Sequence, residues 1–391
     1  MRSGGLCHAL DVRRARTACF VSLLLALGCD VYHPEALQRY DGGGDFDAGA
    51  SDAGGADAGG VDAGAADAGA PDAGRPDGGP PDAGPSCVSR VPPPAVAGTG
   101  GDGPRRVFAL RNVVFRQGGS VWNDVGYDLD ETCTLTASTT TCEAGGGGSP
   151  SIDGFDGVDN SAGREILSGL VLADPSLEAD ARADQDLGQN AIIVVIDGWD
   201  GSDDDAQVSA FFSQSLYGVP MGGARGDPLA WDGTDTFVPS SLDFVDGDVD
   251  RPLIADDSAH VADRQLVMSL PSGRPTILPF TDNQMTLRLT DAVLVAELSA
   301  DGASITAARL TGRWAVLDIS AALTEVGICP GTMRRMGVDM LVESIADVRS
   351  DPSTDSMARP CDAVSLAIGF DGESAQLGAP EAPPPSMDPC P

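Results

Sequence analysis

Two short stretches of the chain concentrate oxygen ligands. Asp153, Asp156 and Asp159 recur at intervals of three, with Gly154 and Gly157 between them and Asn160 after. Asp197, Asp200 and Asp203 repeat that spacing around Gly198 and Gly201, and Asp204 and Asp205 follow. Calcium takes six to eight oxygens from carboxylates and carbonyls, and glycines let a chain curl around the ion. The six spaced aspartates are therefore candidate calcium ligands. Neither loop supplies the closing Glu of an EF-hand. The plainer reading of both is a pair of acidic turns in a chain rich in Asp and Gly. Trp199 and Trp231 also stand in Asp/Gly loops. An indole face can stack on the apolar face of a sugar while nearby carboxylates accept its hydroxyls. Both are candidate ligand-binding residues, the alternative being a plug over the edge of the core.

Catalysis has little to stand on, and no residue is assigned to it. Of the three histidines only His260 lies beyond the N-terminal region, and no Gly-x-Ser-x-Gly elbow accompanies it. No His-Glu-x-x-His pair or phosphate loop occurs. A glycan or ester hydrolase therefore ranks below a binding module, carbohydrate-binding modules included. Acids outnumber bases 59 to 24, for a net charge of −35, and every base is Arg. Such a chain repels a phosphate backbone, so nucleic acid is excluded as a partner.

The elements that must position these loops read as mainly β with a few helices. Residues 106–115, 190–196, 207–212, 265–270, 275–280, 284–298, 304–314 and 363–370 are strand-like runs rich in β-branched and aromatic residues. Run 190–196 is apolar throughout and predicts burial on both faces. Residues 161–170, 320–326 and 332–348 read as helices. In the last, Met333, Met336, Met340, Leu341, Ile345 and Val348 share one face, which predicts that this face is buried. A β-sandwich-like domain over 87–378 is the simplest architecture, with a Pro-rich tail over 379–391. Cys87, Cys133, Cys142, Cys329, Cys361 and Cys390 are an even set, which in an exported chain predicts three disulfides. Among fifteen pairings the expected ones join Cys133 to Cys142 across a Thr-rich hairpin, Cys329 to Cys361, and Cys87 to Cys390.

The N-terminal region places this domain. Arg13, Arg14 and Arg16 precede an eleven-residue apolar run, 18–28, too short to span a bilayer. The run ends in Leu25-Ala26-Leu27-Gly28-Cys29, which resembles the bacterial lipobox. That resemblance implies removal of 1–28 as a signal peptide and acylation of Cys29 with diacylglycerol and palmitate. From Asp47 an Asp-Ala-Gly triplet returns every five residues, with prolines in the far half. Residues 29–86 contain almost nothing large and apolar to bury, so composition predicts a disordered acidic stalk with a reach of roughly 40 Å. Lipobox and spacer together resemble the stalked lipoproteins of high-GC Gram-negative bacteria. Gly126-Tyr127-Asp128-Leu129-Asp130, Asp156-Gly157-Val158-Asp159-Asn160 and Cys361-Asp362-Ala363-Val364-Ser365 are similar to stretches of secreted proteins of that group. The resemblance implies a lipid-anchored envelope protein, with the outer membrane or cell surface favoured over the inner membrane despite Asp30. It implies no mechanism. The expected role is display of a non-catalytic binding or structural domain, calcium-stabilised if the acidic loops are ligands. Its partners would be the membrane through the anchor and a polysaccharide or another envelope protein.

Overall fold

The alternating apolar runs become strands, and each strand sends every second side chain into one interior. The computed structural model describes residues 87–135, 140–145, 151–173, 175–273, 275–278, 285–325, 327–384 and 389–390. Cys29, the signal segment, the stalk and the tip of the expected 133–142 hairpin lie outside the described residues. In chain order the strands are β1 Gly103–Val114, β2 Cys142–Glu143, β3 Ile192–Gly198, β4 Asp205–Val219, β5 Thr236–Pro239, β6 Ala255–Ala262, β7 Gln265–Leu270, β8 Pro275–Leu278, β9 Met285–Leu298, β10 Ser304–Ala315, β11 Ser356–Pro360, β12 Ala363–Ser374 and β13 Gln376–Leu377. The helices are α1 Ser168–Ala173, continuing a π-helical stretch Ala162–Leu167, then α2 Leu177–Asp186, α3 Val316–Glu325 and α4 Met333–Ser344.

Eight strands close on themselves in the order β4-β3-β1-β12-β10-β9-β7-β6, and β6 returns to β4. Every pairing around this ring is antiparallel. The protein is thus mainly β, but the domain is a barrel and not the sandwich expected above. Closure depends on β4. Its first half pairs with β6 (Asp205↔Val261 to Phe211↔Ala255) and its second half with β5. A period-two pattern is the same in a sandwich and a barrel; only the long-range β4–β6 pairing separates them. Eight strands enclose a space that side chains just fill. Phe108, Leu110, Val194, Ile196, Phe212, Leu266, Leu294, Leu310, Leu366 and Ile368 fill it, all at most 2% exposed. Ile193 and Val195 point outward, yet a second apolar cluster with Phe211, Phe237 and Phe244 buries them beneath the 229–249 segment. This accounts for the unbroken apolar run of β3.

The cysteines do form three disulfides, but with other partners than expected: Cys87–Cys133, Cys142–Cys361 and Cys329–Cys390. Chain neighbours in space decide this. Residue 90 lies against residue 128 (Asp128 N donates to Arg90 O, 2.8 Å), which brings Cys87 beside Cys133. β2 pairs in parallel with β11, which leads straight into Cys361. The C-terminal residues run along β5 through Glu381 before Cys390 meets the α3–α4 connection.

The expected apolar face of α4 is corrected along the helix itself, though Ile345 and Val348 just beyond its end do pack into the core. Met333, Met336 and Met340 are 76%, 50% and 65% exposed. The helix packs instead through Val342 and the guanidinium of Arg335, which donates to Ile328 O (3.0 Å), Thr324 Oγ1 (3.0 Å) and Asp339 Oδ1 (2.8 Å).

Candidate metal centre

Beyond the end of β1 the chain makes a 3₁₀ turn, Val121–Asp124, and then a loop that carries Asp128 and Asp130. A second loop, 151–160, lies across the first. Asp159 N donates to Tyr127 O (3.0 Å), and Asp153 N to Thr134 O (3.1 Å). Cys87–Cys133 bolts the N-terminal residues of the domain to the same place. Gly157 has φ +75° at the crossing, and a Cβ there would fall 2.5 Å from Asp128 Oδ2. Only glycine allows both the backbone conformation and the close approach.

The crossing brings the carboxylates of Asp128, Asp130 and Asp159 within 4.8 Å of one another, the one such group among the described residues. Two oxygens that share an ion at about 2.4 Å each can be no farther apart than this. Asp128 and Asp159 are 4% and 3% exposed. Backbone and hydroxyl donors fix the rotamers. Leu129 N donates to Asp159 Oδ2 (2.7 Å), Ser89 Oγ to Asp128 Oδ2 (2.6 Å), Thr132 N to Asp130 Oδ1 (2.9 Å), and Thr141 Oγ1 to Asp130. Asp153 accepts from Thr134 N. Asp347 accepts from Ser365 N (2.8 Å) and Ser365 Oγ at the rim.

These acids repel one another inside the protein. Burial, reinforced by neighbouring carboxylates, pushes Asp153 up to about 8. Asp130 is raised to about 6 by burial and by Asp128. Asp347 is raised to about 6 by burial foremost, and Asp159 rises well above the usual carboxylate range for the same reason. The near cation is Arg313, 1% exposed, which donates to Leu129 O between the two aspartates of the first loop. Its charge is already engaged by Asp355 (3.1 Å) and Asp291 (3.4 Å). Buried carboxylates in excess of buried cations are costly unless protons or a metal ion neutralise them. Hard oxygen donors of this kind suit calcium or magnesium and not zinc.

Of the residues expected to bind calcium, Asp159 enters this group; Asp153 does not, though it lies near enough to feel the charges of Asp130, Asp347 and Asp128. Asp156 does not; it turns outward to Arg90 (3.4 Å). Asp197, Asp200 and Asp203 do not converge. Asp197 pairs with Arg105 (2.8 Å), and Asp203 lies 3.8 Å from Arg264. Asp200 caps its own turn on Ser202, whose hydroxyl and N–H hold its carboxyl below the ordinary value. Spacing by three on a loop says nothing about which side chains a distant Arg will claim. Asp128, Asp130 and Asp347 carried no metal signal in the sequence. Their only trace was the Asp-x-Asp of 128–130, which is common in acidic chains.

Trp199 is 1% exposed, its Nε1 donates to Ser202 O (2.9 Å), and Arg106 covers its ring at 4.7 Å. No face is free for a sugar, which corrects its assignment as a stacking platform. Trp231 packs on Phe237 (centroids 5.2 Å) beneath Arg111 at 4.7 Å, as part of the second apolar cluster. Comparison with family models, curated proteins and solved structures found no match.

Proposed function

We propose that this chain is a lipid-anchored protein of the cell envelope whose β-barrel head is a non-catalytic binding or structural module braced by calcium. The carboxylates of Asp128, Asp130 and Asp159, gathered within 4.8 Å and largely buried, carry this reading. An ion there would tie the 125–135 and 151–160 loops to each other and to Cys87, where the stalk joins the head. Three disulfides suit an oxidising compartment. The lipobox-like end at Cys29 supplies the anchor, and the acidic spacer the distance from the membrane. The outer membrane is the favoured site.

Thermal melting of the mature, oxidised protein tests the brace. At calcium tenfold above its Kd the head should gain about 1.4 kcal/mol over the chelated form. Asp159→Asn should lose this response. It should also melt no lower than wild type in chelator, because one unneutralised buried charge is gone. Identical melting of the wild type with and without calcium would sink the brace. For the anchor, Cys29→Ser should move the protein from the membrane to the soluble fraction; if it stays with the membrane, the lipid reading fails.

A further inference from the structure

An open groove of about 480 Å³ runs along the outside of the barrel, between the 3₁₀ turn Val121–Asp124 and the 151–160 loop. Its volume is that of a small-ligand site. The floor is the seam of β1 and β12 where β1 runs out: Val114 is its last residue, and Gly369 stands opposite. Ile368 and Phe370 belong to the barrel core, so position 369 between them faces outward. A Cβ there would meet Val114 at 3.4 Å, an ordinary contact. Packing below does not demand glycine; its effect is to leave the space above the floor open. The two walls touch through bare backbone, since a Cβ on Gly154 would fall 2.6 Å from Asn123 Cα.

Two apolar side chains line this groove and stay in contact with water: Phe155, 56% exposed, and Val121, 44% exposed. Two charged groups reach it as well. The carboxylate of Asp124 is already paired with Arg90 (3.0 Å). Arg309 is half-buried and has no such partner; among the described residues no carboxylate lies within 4 Å of its guanidinium. It bears instead on the hydroxyl of Tyr127, which burial holds in its neutral form. A neutral phenol cannot match the charge. One uncompensated positive group thus stands beside exposed apolar surface, in a chain whose net charge is −35.

We propose that the groove binds a small organic acid, with its apolar body against Phe155 and Val121 and its anionic group on the Arg309 guanidinium. The acid supplies the counter-charge that the protein withholds, through charge-assisted hydrogen bonds in the fork geometry of arginine. Its body covers the aromatic ring and the branched side chain beside it. This gives the binding module proposed above a ligand class and rests on that reading. No metal ion takes part in the contact.

The test uses 8-anilinonaphthalene-1-sulfonate and its uncharged parent, N-phenyl-1-naphthylamine. The two share one apolar body and differ only by the anionic group. Fluorescence titrations are made on the full mature chain with its disulfides intact and Cys29→Ser in place, so that neither lipid nor detergent takes up the probes. Arg309→Gln should weaken the sulfonate probe about tenfold and leave the uncharged one unchanged, because only the charge-assisted bonds are lost. Phe155→Ala should weaken both probes. Met336→Gln, on the exposed stripe of α4, should alter neither. The series is run in calcium and again in chelator, and the Arg309 effect in either condition supports the proposal. A sulfonate isotherm that Arg309→Gln leaves unchanged in both conditions overturns it, and so does weakening by Met336→Gln without weakening by Phe155→Ala. Should Arg309→Gln fail to fold, Phe155→Ala at its exposed position decides, and unchanged binding of both probes overturns the proposal. Failure of the calcium brace is read separately, from melting without probe.

Discussion

Single side chains do much of the joining between loops and barrel. Asn160 is 1% exposed and saturates its amide. Nδ2 donates to Gln117 Oε1 (2.7 Å) and Val125 O (3.0 Å), while Oδ1 accepts from Gly163 N and Ala367 N, both at 3.0 Å. β1 ends at Val114, opposite Gly369 of β12, so the Asn160 side chain takes over two residues farther along β12, at Ala367. Asn160→Ala would strand several buried polar groups, at about 1–3 kcal/mol each. Denaturant unfolding should show a loss of about 3 kcal/mol or more, and a loss under 1 kcal/mol would count against this account. Asp243 is a simpler probe of pH. Burial raises its carboxyl above the ordinary 3.8, against donors from Ser213 and Gln214. A group whose folded pKa is raised adds stability below its unfolded pKa, and that part is lost as pH climbs through the folded value. Asp243→Asn should flatten the fall in stability as pH rises above 3.8. Stability profiles of wild type and variant that run parallel from acid to neutral pH would refute it.

At the scale of elements, α4 separates amphipathic pattern from actual burial. Its methionines form an apolar stripe in sequence, yet the helix docks by Val342 and by an arginine fully engaged with α3 and the loop after it. Thr332 caps it by accepting from Arg335 N (3.2 Å), so the start of the helix is locally encoded even though its orientation is not. Changing Met333, Met336 and Met340 to Gln should shift stability by no more than about 0.5 kcal/mol each. Val342→Ala, 3% exposed, should cost about 2 kcal/mol. Chemical denaturation of the two variants side by side checks the ordering; the reverse ordering would mean that the methionine face is packed.

For the whole molecule, the disulfides divide their work by the loops they close. Cys142–Cys361 spans 219 residues, against 46 for Cys87–Cys133 and 61 for Cys329–Cys390. Chain entropy assigns the longest loop about 5 kcal/mol and the others about 4. The double variant Cys142→Ser, Cys361→Ser should therefore show the largest fall in Tm of the three pairs. A smaller fall than that from removing Cys329–Cys390 would show that strain or residual structure in the unfolded chain outweighs loop length here.

Local rules were enough for the long strands β1, β3, β7, β9, β10 and β12, the helix over 161–170 and the even set of paired cysteines, but not for β5 or β6. Each depends on residues near in sequence: alternation, turn residues and composition. Nothing local could say that β4 would meet β6 and close a barrel, that Cys87 would find Cys133, or that Asp128 and Asp130 would cross Asp153 and Asp159. Those outcomes turn on contacts between residues tens to hundreds of positions apart, where the free energy of the whole packed arrangement selects one partner among many that the sequence equally permits. The same holds for Asp156, Asp197 and Asp203, whose fates were set by arginines that only the folded chain brings near.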